Sequence, residues 1–187
     1  MQISLVLLAL LQLGASLPQA AQMKDAGLSD SLTWLELSQF HFKPYLLSNI
    51  CVECSKIQPG DAMFNCSIGF DWVDPNADGS RAHCDNGWQW DGKTTQPGAS
   101  NTYNTIYVGC PYRGEVFQFL FQSMTNISYF GLELSHIFKD SNDFPEPTMA
   151  NLFGLANVTL ESSSSNETAI VYGIPGPVEA KIMGAVI

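Results

Sequence analysis

Apolar and polar residues alternate over much of the chain, most clearly in the segment that begins at Phe64. Every second side chain there is apolar or a cysteine, namely Phe64, Cys66, Ile68, Phe70 and Trp72. A period of two is the period of a strand with one buried face. We therefore predict a half-buried strand that turns Cys66 towards a core and Asn65 towards solvent.

Segments with the same period follow at short intervals. We predict strands at 33–40, 64–73, 102–110, 117–122, 130–139, 154–161, 168–172 and 178–183. Asn86-Gly87 predicts a hairpin turn and 162–165 a solvated turn, while 148–155 is the one segment that also fits an amphipathic helix. The pattern predicts an all-β fold, an antiparallel β-sandwich or barrel of about eight strands stapled by disulfides.

The first twenty residues have the composition of a secretory signal peptide. An apolar run at 3–15 is followed by small residues, and the first charged residue is Lys24. That run is shorter than the ~20 residues that span a bilayer. We predict a signal peptide at 1–20, a loose leader at 21–32 and a single secreted β domain at 33–187, with no membrane attachment after cleavage.

The charge of the chain excludes one class of partner. Eighteen acidic and eight basic residues give a net charge of −10, and the basic residues are scattered. Such a chain repels phosphates and anionic membranes, so we expect no nucleic-acid partner.

Five cysteines predict a disulfide framework with one cysteine left over, the set being Cys51, Cys54, Cys66, Cys84 and Cys110. We favour a Cys66–Cys84 bridge across the acidic loop, which would stabilise the fold by about 3 kcal/mol through chain entropy. The second bridge would join Cys110 to Cys51 or Cys54. The spacing of Cys51 and Cys54 also suits a redox motif or half a zinc site, but neither a second close pair nor a following helix supports these uses. The unpaired cysteine suggests a disulfide-linked homodimer.

Four glycosylation sequons follow the signal peptide, at Asn65, Asn126, Asn157 and Asn166. In a eukaryotic secretory pathway we expect some of them to carry sugar.

One loop fits most of a calcium-binding pattern, with oxygen ligands at Asp74, Asn76, Asp78 and Asp85 and a glycine at the sixth position. An entering strand, Pro75 and a bridged cysteine beside Asp85 favour an ordinary turn instead. We therefore predict no metal and no cofactor.

Catalytic motifs are absent from the sequence, and its three histidines, His41, His83 and His136, lie in unrelated segments. His136 alternates with apolar residues, which favours a core or edge position over a general base. We therefore predict a protein that is not an enzyme.

Three tryptophans surround the acidic loop, namely Trp72, Trp88 and Trp90. Exposed aromatic faces beside polar side chains bind sugars by stacking and hydrogen bonds. Trp72 continues a core-facing alternation, whereas Trp88 and Trp90 are candidate ligand-binding residues.

Two segments carry a resemblance to a known family. They are the run from Trp34 to Pro44 (Trp-Leu-Glu-Leu-Ser-Gln-Phe-His-Phe-Lys-Pro) and the pattern of Cys66, an Asp-Pro loop, Cys84 and a following Trp. The first resembles the first strand of the secreted fungal β-barrel family named for the Alternaria major allergen, and the second resembles many small secreted proteins of filamentous fungi. The resemblance implies a fungus-specific, non-enzymatic secreted protein with two internal bridges, a third bridge linking a dimer, and action on host defence proteins. The chain differs in its close Cys51/Cys54 pair, in having no cysteine after Cys110 and in its long sequon-bearing C-terminal third.

Three hypotheses for function follow from these patterns. The first is a secreted, effector-like or allergen-like protein that binds a host or cell-surface partner. The second is a cell-wall carbohydrate-binding module that uses Trp88 and Trp90. The third is a secreted hydrolase with an unrecognised site.

Overall fold

The computed structural model describes residues 41–112, 114–139 and 149–186. The predicted signal peptide (1–20), leader (21–32) and first strand (33–40) lie outside these ranges, as does Trp34. Strands are the only regular elements in the described ranges, which therefore contain no helix long and apolar enough to cross a membrane.

The described residues form ten strands. They are β1 (Tyr45–Ser55), β2 (Phe64–Asp74), β3 (Ser80–Trp90), β4 (Val108–Gly109), β5 (Val116–Asn126), β6 (Tyr129–Lys139), β7 (Met149–Thr159), β8 (Glu161–Ser165), β9 (Ala169–Ile174) and β10 (Val178–Val186). All pairings are antiparallel. The order β3-β2-β1-β10-β7-β6-β5-β4 makes a nearly closed eight-stranded barrel. The predicted all-β, disulfide-stapled fold is confirmed, and of the two architectures it is the barrel.

The hairpin of β8 and β9 lies off the path of the barrel. β9 pairs with the second half of β1 and with β8, whereas the first three residues of β10 pair with the first half of β1. The cis bond between Gly176 and Pro177 lies between β9 and β10. On the other side, β7 pairs with β10 and β8 pairs with β9. The hairpin of β8 and β9 therefore continues the edge of the barrel beyond β7 and β10.

A chain segment closes the seam between β3 and β5. The backbone N–H of Thr102 donates to the carbonyl of Gln89 on β3 at 2.8 Å, and the N–H of Phe121 on β5 donates to the carbonyl of Asn104 at 3.0 Å. The disulfide Cys84–Cys110 ties β3 to the end of this segment. A few backbone hydrogen bonds and one disulfide thus hold the seam closed, where a complete strand would form a full ladder of hydrogen bonds.

Aromatic rings fill the interior of the barrel. Trp72 is fully buried, with its ring centroid 5.0 Å from that of Tyr45 and 4.9 Å from that of Phe117. Both contacts are edge-to-face, the arrangement that aromatic pairs prefer. The prediction that Trp72 belongs to the core is confirmed.

Four local predictions are wrong. Asn86 and Gly87 lie inside β3, because the hairpin turns instead at 75–79, where Asp78 and Gly79 take positive φ angles. The predicted helix at 148–155 begins outside the described residues, and 149–155 belong to β7; the predicted turn at 162–165 belongs to β8. The predicted strand at 102–110 shrinks to β4.

The barrel has two ends with different surfaces. The turn end contains the start of β1 and β7 and the 75–79 turn, brought together by contacts such as Trp72 with Phe117. The other end contains the start of β2 and the β5–β6 turn, joined through Asn101, which pairs with Trp90 and donates to Met124 Sδ. We call it the sequon end, because all four sequons lie on this side.

Candidate functional site

The two tryptophans expected to bind a ligand are buried. Trp88 is 5% exposed and packs against Phe121 at 5.4 Å between ring centroids. Trp90 is 8% exposed, packs against Phe64, and donates its Nε1 hydrogen to the carbonyl of Thr94 at 2.9 Å. Neither ring presents a face to solvent, so the expected sugar-stacking platform is absent from this conformation.

The predicted disulfide pairing is wrong. Cys54 bonds to Cys66, and Cys84 bonds to Cys110. Register explains the difference, because Cys54 and Cys66 are direct partners on β1 and β2, whereas Cys84 lies opposite Phe70. Phe70 is four residues from Cys66, about 13 Å along a strand, which is too far for a disulfide.

Cys51 is the free cysteine of the described chain. Its thiol, partly exposed on the outer face of β1, lies 3.8 Å from Glu53 Oε1 and donates to it. Partial burial and the neighbouring carboxylate raise the pKa of Cys51. The thiol is therefore mostly protonated at neutral pH and is a weak nucleophile.

The four calcium candidates do not form one set of ligands, although Asp74 and Asn76 are in contact. Asp74 is fully buried, and one carboxylate oxygen accepts bonds from the backbone and side-chain amides of Asn76 while the other contacts His136. Asp78 is exposed on the turn, and Asp85 lies on the outer face of β3 opposite Gly69. No group of three His, Cys, Asp or Glu side chains in the described ranges is arranged to hold a metal.

A hydrogen-bonded row crosses the outer face of β1, β2 and β3. Asn49 Nδ2 donates to Asp71 Oδ2 at 2.7 Å, and His83 Nδ1 lies 2.8 Å from Asp71 Oδ1. Asn49 sits at a β-bulge with a φ of 53°, a conformation that Asn tolerates well. The bonds from Asn49 and His83 hold the pKa of Asp71 below its usual value.

A cleft of about 390 Å³ lies beside this row, and we call it the outer cleft. Its lining includes Ser48, Asp71, Arg81, His83 and Tyr112. Positive, negative and aromatic groups therefore share one accessible surface, which suits recognition of a polar partner.

The described residues of the outer cleft contain no hydrogen-bonded pair of nucleophile and base. Asp71 holds His83 through Nδ1, but no hydrogen bond joins His83 to Ser48 or Cys51 in the described structure. Ser48 pairs with Asp71 in the β1–β2 register, on the far side of that carboxylate from His83. A nucleophile must lie within hydrogen-bond reach of its base. The row therefore orients an imidazole without activating a nucleophile.

A second polar cluster is buried at the turn end. His136 is fully buried, with Nδ1 2.7 Å from Asp74 Oδ2 and Nε2 3.4 Å from Glu115 Oε2. Its ring stacks on Phe117 at 3.7 Å and on Phe138 at 5.0 Å between centroids. This confirms His136 as a core histidine, one whose Nδ1 bond to Asp74 connects β6 to the end of β2, while its Nε2 has no hydrogen-bond partner among the described residues.

Sequence reasoning missed both carboxylate–histidine pairs. Asp71 and His83 become opposite partners once the hairpin is centred on 75–79, so correct placement of the turn would have found them. Asp74 and His136 are 62 positions apart, and no local pattern connects them.

The four sequon asparagines are all exposed. Asn65 and Asn157 lie on outward positions of β2 and β7, while Asn126 and Asn166 lie at turns. Whether they carry sugar stays a prediction.

No family model matches the chain, and no curated protein matches it. The resemblance to the Alternaria allergen family therefore stays a prediction.

Proposed function

We propose that the chain is a secreted, non-enzymatic, effector-like β-barrel that binds a host or cell-surface protein through its outer surface. Two disulfides in a chain of this size are compatible with an extracellular location. The resemblance to the secreted fungal allergen-like family agrees with this location and with a role outside catalysis.

The observation that carries this proposal is a set of four large, exposed apolar side chains at the turn end, which we call the turn-end patch: Tyr112, Val116, Met149 and Val186. Register places Met149 and Val186 on the neighbouring strands β7 and β10, while Val116 lies on β5, on the other side of β6. Tyr112 also lines the outer cleft, so one residue of the patch lies beside the charged groups of that cleft. An apolar centre with a polar rim is the usual anatomy of a protein interface.

Because side chains fill the interior of the barrel, we place the binding surface on its outside. The barrel holds aromatic side chains where a ligand-binding barrel would hold a chamber. The carbohydrate-binding hypothesis rested on exposed Trp88 and Trp90, and their burial removes its support. The hydrolase hypothesis lacks a hydrogen-bonded nucleophile and base in the described residues.

A matched pair of variants tests the proposal. Val116→Ser with Met149→Ser removes two apolar side chains from the turn-end patch, and Tyr129→Ser removes a similarly exposed one from the sequon end. Chemical cross-linking in host extracellular fluid identifies bound proteins by mass spectrometry, and calorimetry then measures their affinity for each variant.

We expect the turn-end variant to lose about tenfold or more in affinity, because each lost apolar contact is worth roughly 1 kcal/mol or more. The Tyr129→Ser control should bind like the unmodified protein. Equal losses in both variants, binding only to a glycan array, or turnover on ester, peptide or glycan substrates would contradict the proposal.

A further inference from the structure

Strand β8 is an exposed edge. All five of its side chains, Glu161 and four serines, are exposed, and among the described strands it pairs only with β9. Its outer edge offers unpaired backbone donors and acceptors, which can template pairing with a strand of another chain. Glu161 is the only charged side chain within β8, and Glu167 follows two residues after the strand ends.

Two sequons flank this edge. Asn157 lies on β7 just before β8, and Asn166 directly follows Ser165, the last residue of β8. Both asparagines are exposed. Sugar chains on them would stand at the two ends of the unpaired edge.

The amide nitrogens of the sequon asparagines are free to carry such chains. Oδ1 of Asn166 accepts hydrogen bonds from the backbone amides of Thr168 and Ala169 at 2.9 and 2.7 Å, which leaves Nδ2 without a partner. Oδ1 of Asn126 accepts from the backbone amide and hydroxyl of Ser128, both at 2.9 Å. Asn65 and Asn157 make no side-chain hydrogen bond in the described structure.

The asparagines outside sequons behave differently. Of the six in the described ranges, five donate Nδ2 to the protein, namely Asn49, Asn76, Asn86, Asn101 and Asn104. An Nδ2 used in this way could not take a sugar without breaking a bond of the fold. The four sequon residues therefore have both the motif and a free, exposed attachment atom.

We propose that N-glycans on Asn157 and Asn166 shield the open edge of β8 from pairing with a second copy of the chain. The inference rests on the proposed secretion. Attachment forms a bond between Nδ2 and the anomeric carbon of an oligosaccharide, breaks the bond from that carbon to a lipid pyrophosphate, and releases one Nδ2 proton. Because Oδ1 keeps its acceptor role, the turn at Asn166 is retained after modification.

The test compares two double variants in a Cys51→Ser background, which removes the free thiol that could link chains. Asn157→Gln with Asn166→Gln strips the β8 edge, and Asn65→Gln with Asn126→Gln strips the other two sequons as the control. Peptide mass spectrometry of the secreted proteins gives the occupancy of each site, and light scattering over a concentration series gives the mass in solution. Near-ultraviolet circular dichroism checks that each variant is folded.

We expect the edge variant to gain mass with concentration while the control stays monomeric. Folded, glycosylated protein treated with an endoglycosidase should associate in the same way, so a folding defect in the variant does not decide the outcome. Equal behaviour of both variants, or unmodified Asn157 and Asn166 in secreted protein, would overturn the inference and leave the proposed function intact. Failure of the chain to be secreted would contradict the proposed function itself.

Discussion

The seam of the barrel predicts that removal of one disulfide has a different effect from removal of the other. We consider the removal of each bridge by a pair of Cys→Ala substitutions. Cys84 and Cys110 are 26 positions apart, and Cys54 and Cys66 are 12 apart. On the chain-entropy estimate the first bridge contributes about 3.5 kcal/mol and the second about 2.8 kcal/mol.

The two estimated losses of unfolding free energy are similar. The two bridges are therefore distinguished by the part of the structure that opens when each one is removed. Cys54–Cys66 joins strands that already share a ladder from Leu46 to Ser55, whereas Cys84–Cys110 closes a seam with few backbone bonds. Loss of the seam bridge should therefore release residues 101–110 locally, below the free energy of global unfolding.

Urea denaturation and native-state hydrogen exchange measure the two effects. We expect both variants to lose roughly 3 kcal/mol in unfolding free energy. Only the variant without Cys84–Cys110 should show faster exchange at the amides of Thr102 and Phe121, which bridge the seam. Unchanged protection at those amides, or equally fast exchange there in both variants, would refute the account of the seam.

Three further predictions concern single side chains. Asn49→Ala removes the main hydrogen bond that lowers the pKa of Asp71, so an NMR titration should show that pKa rising towards its usual value; an unchanged value would contradict the role of this bond. The raised pKa of Cys51 predicts slow maleimide labelling that accelerates as pH rises, and any disulfide-linked dimer on non-reducing gels should vanish in Cys51→Ser. Gly154→Ala would place a methyl group 2.6 Å from a carbon of a buried tyrosine ring, so it should cost roughly 1–3 kcal/mol in urea denaturation, whereas Gly109→Ala, with nothing within 4 Å, should cost little.

The strands that the alternation predicted are those in which one face is buried. From Phe64 to Trp72 every second side chain faces the core, and the three phenylalanines of β5 do the same. A period of two needs only that the core lies on one side, which is a local property. The fold class could therefore be inferred without knowledge of which strands pair.

Pairing and register could not be inferred in the same way. Asn86-Gly87 is a strong local turn signal, yet cross-strand packing of the aromatic residues of β2 and β3 places the turn at 75–79. In the observed register Cys66 lies opposite Trp88 and not near Cys84. Both disulfides therefore join other partners than those predicted. The burial of Trp88 depends on Phe121, which is distant in sequence. β1 was missed because Asn49 and a bulge interrupt its alternation.

The central claim is that the chain works as a binder through its turn end. Hydroxyl-radical footprinting in host extracellular fluid tests this directly, because Met149, Tyr112 and Tyr129 are 46%, 45% and 44% exposed and should react comparably when free. We predict that the fluid protects Met149 and Tyr112 at the turn end and leaves Tyr129 at the sequon end unprotected. Protection of Tyr129 alone, or of none of the three, would contradict the claim.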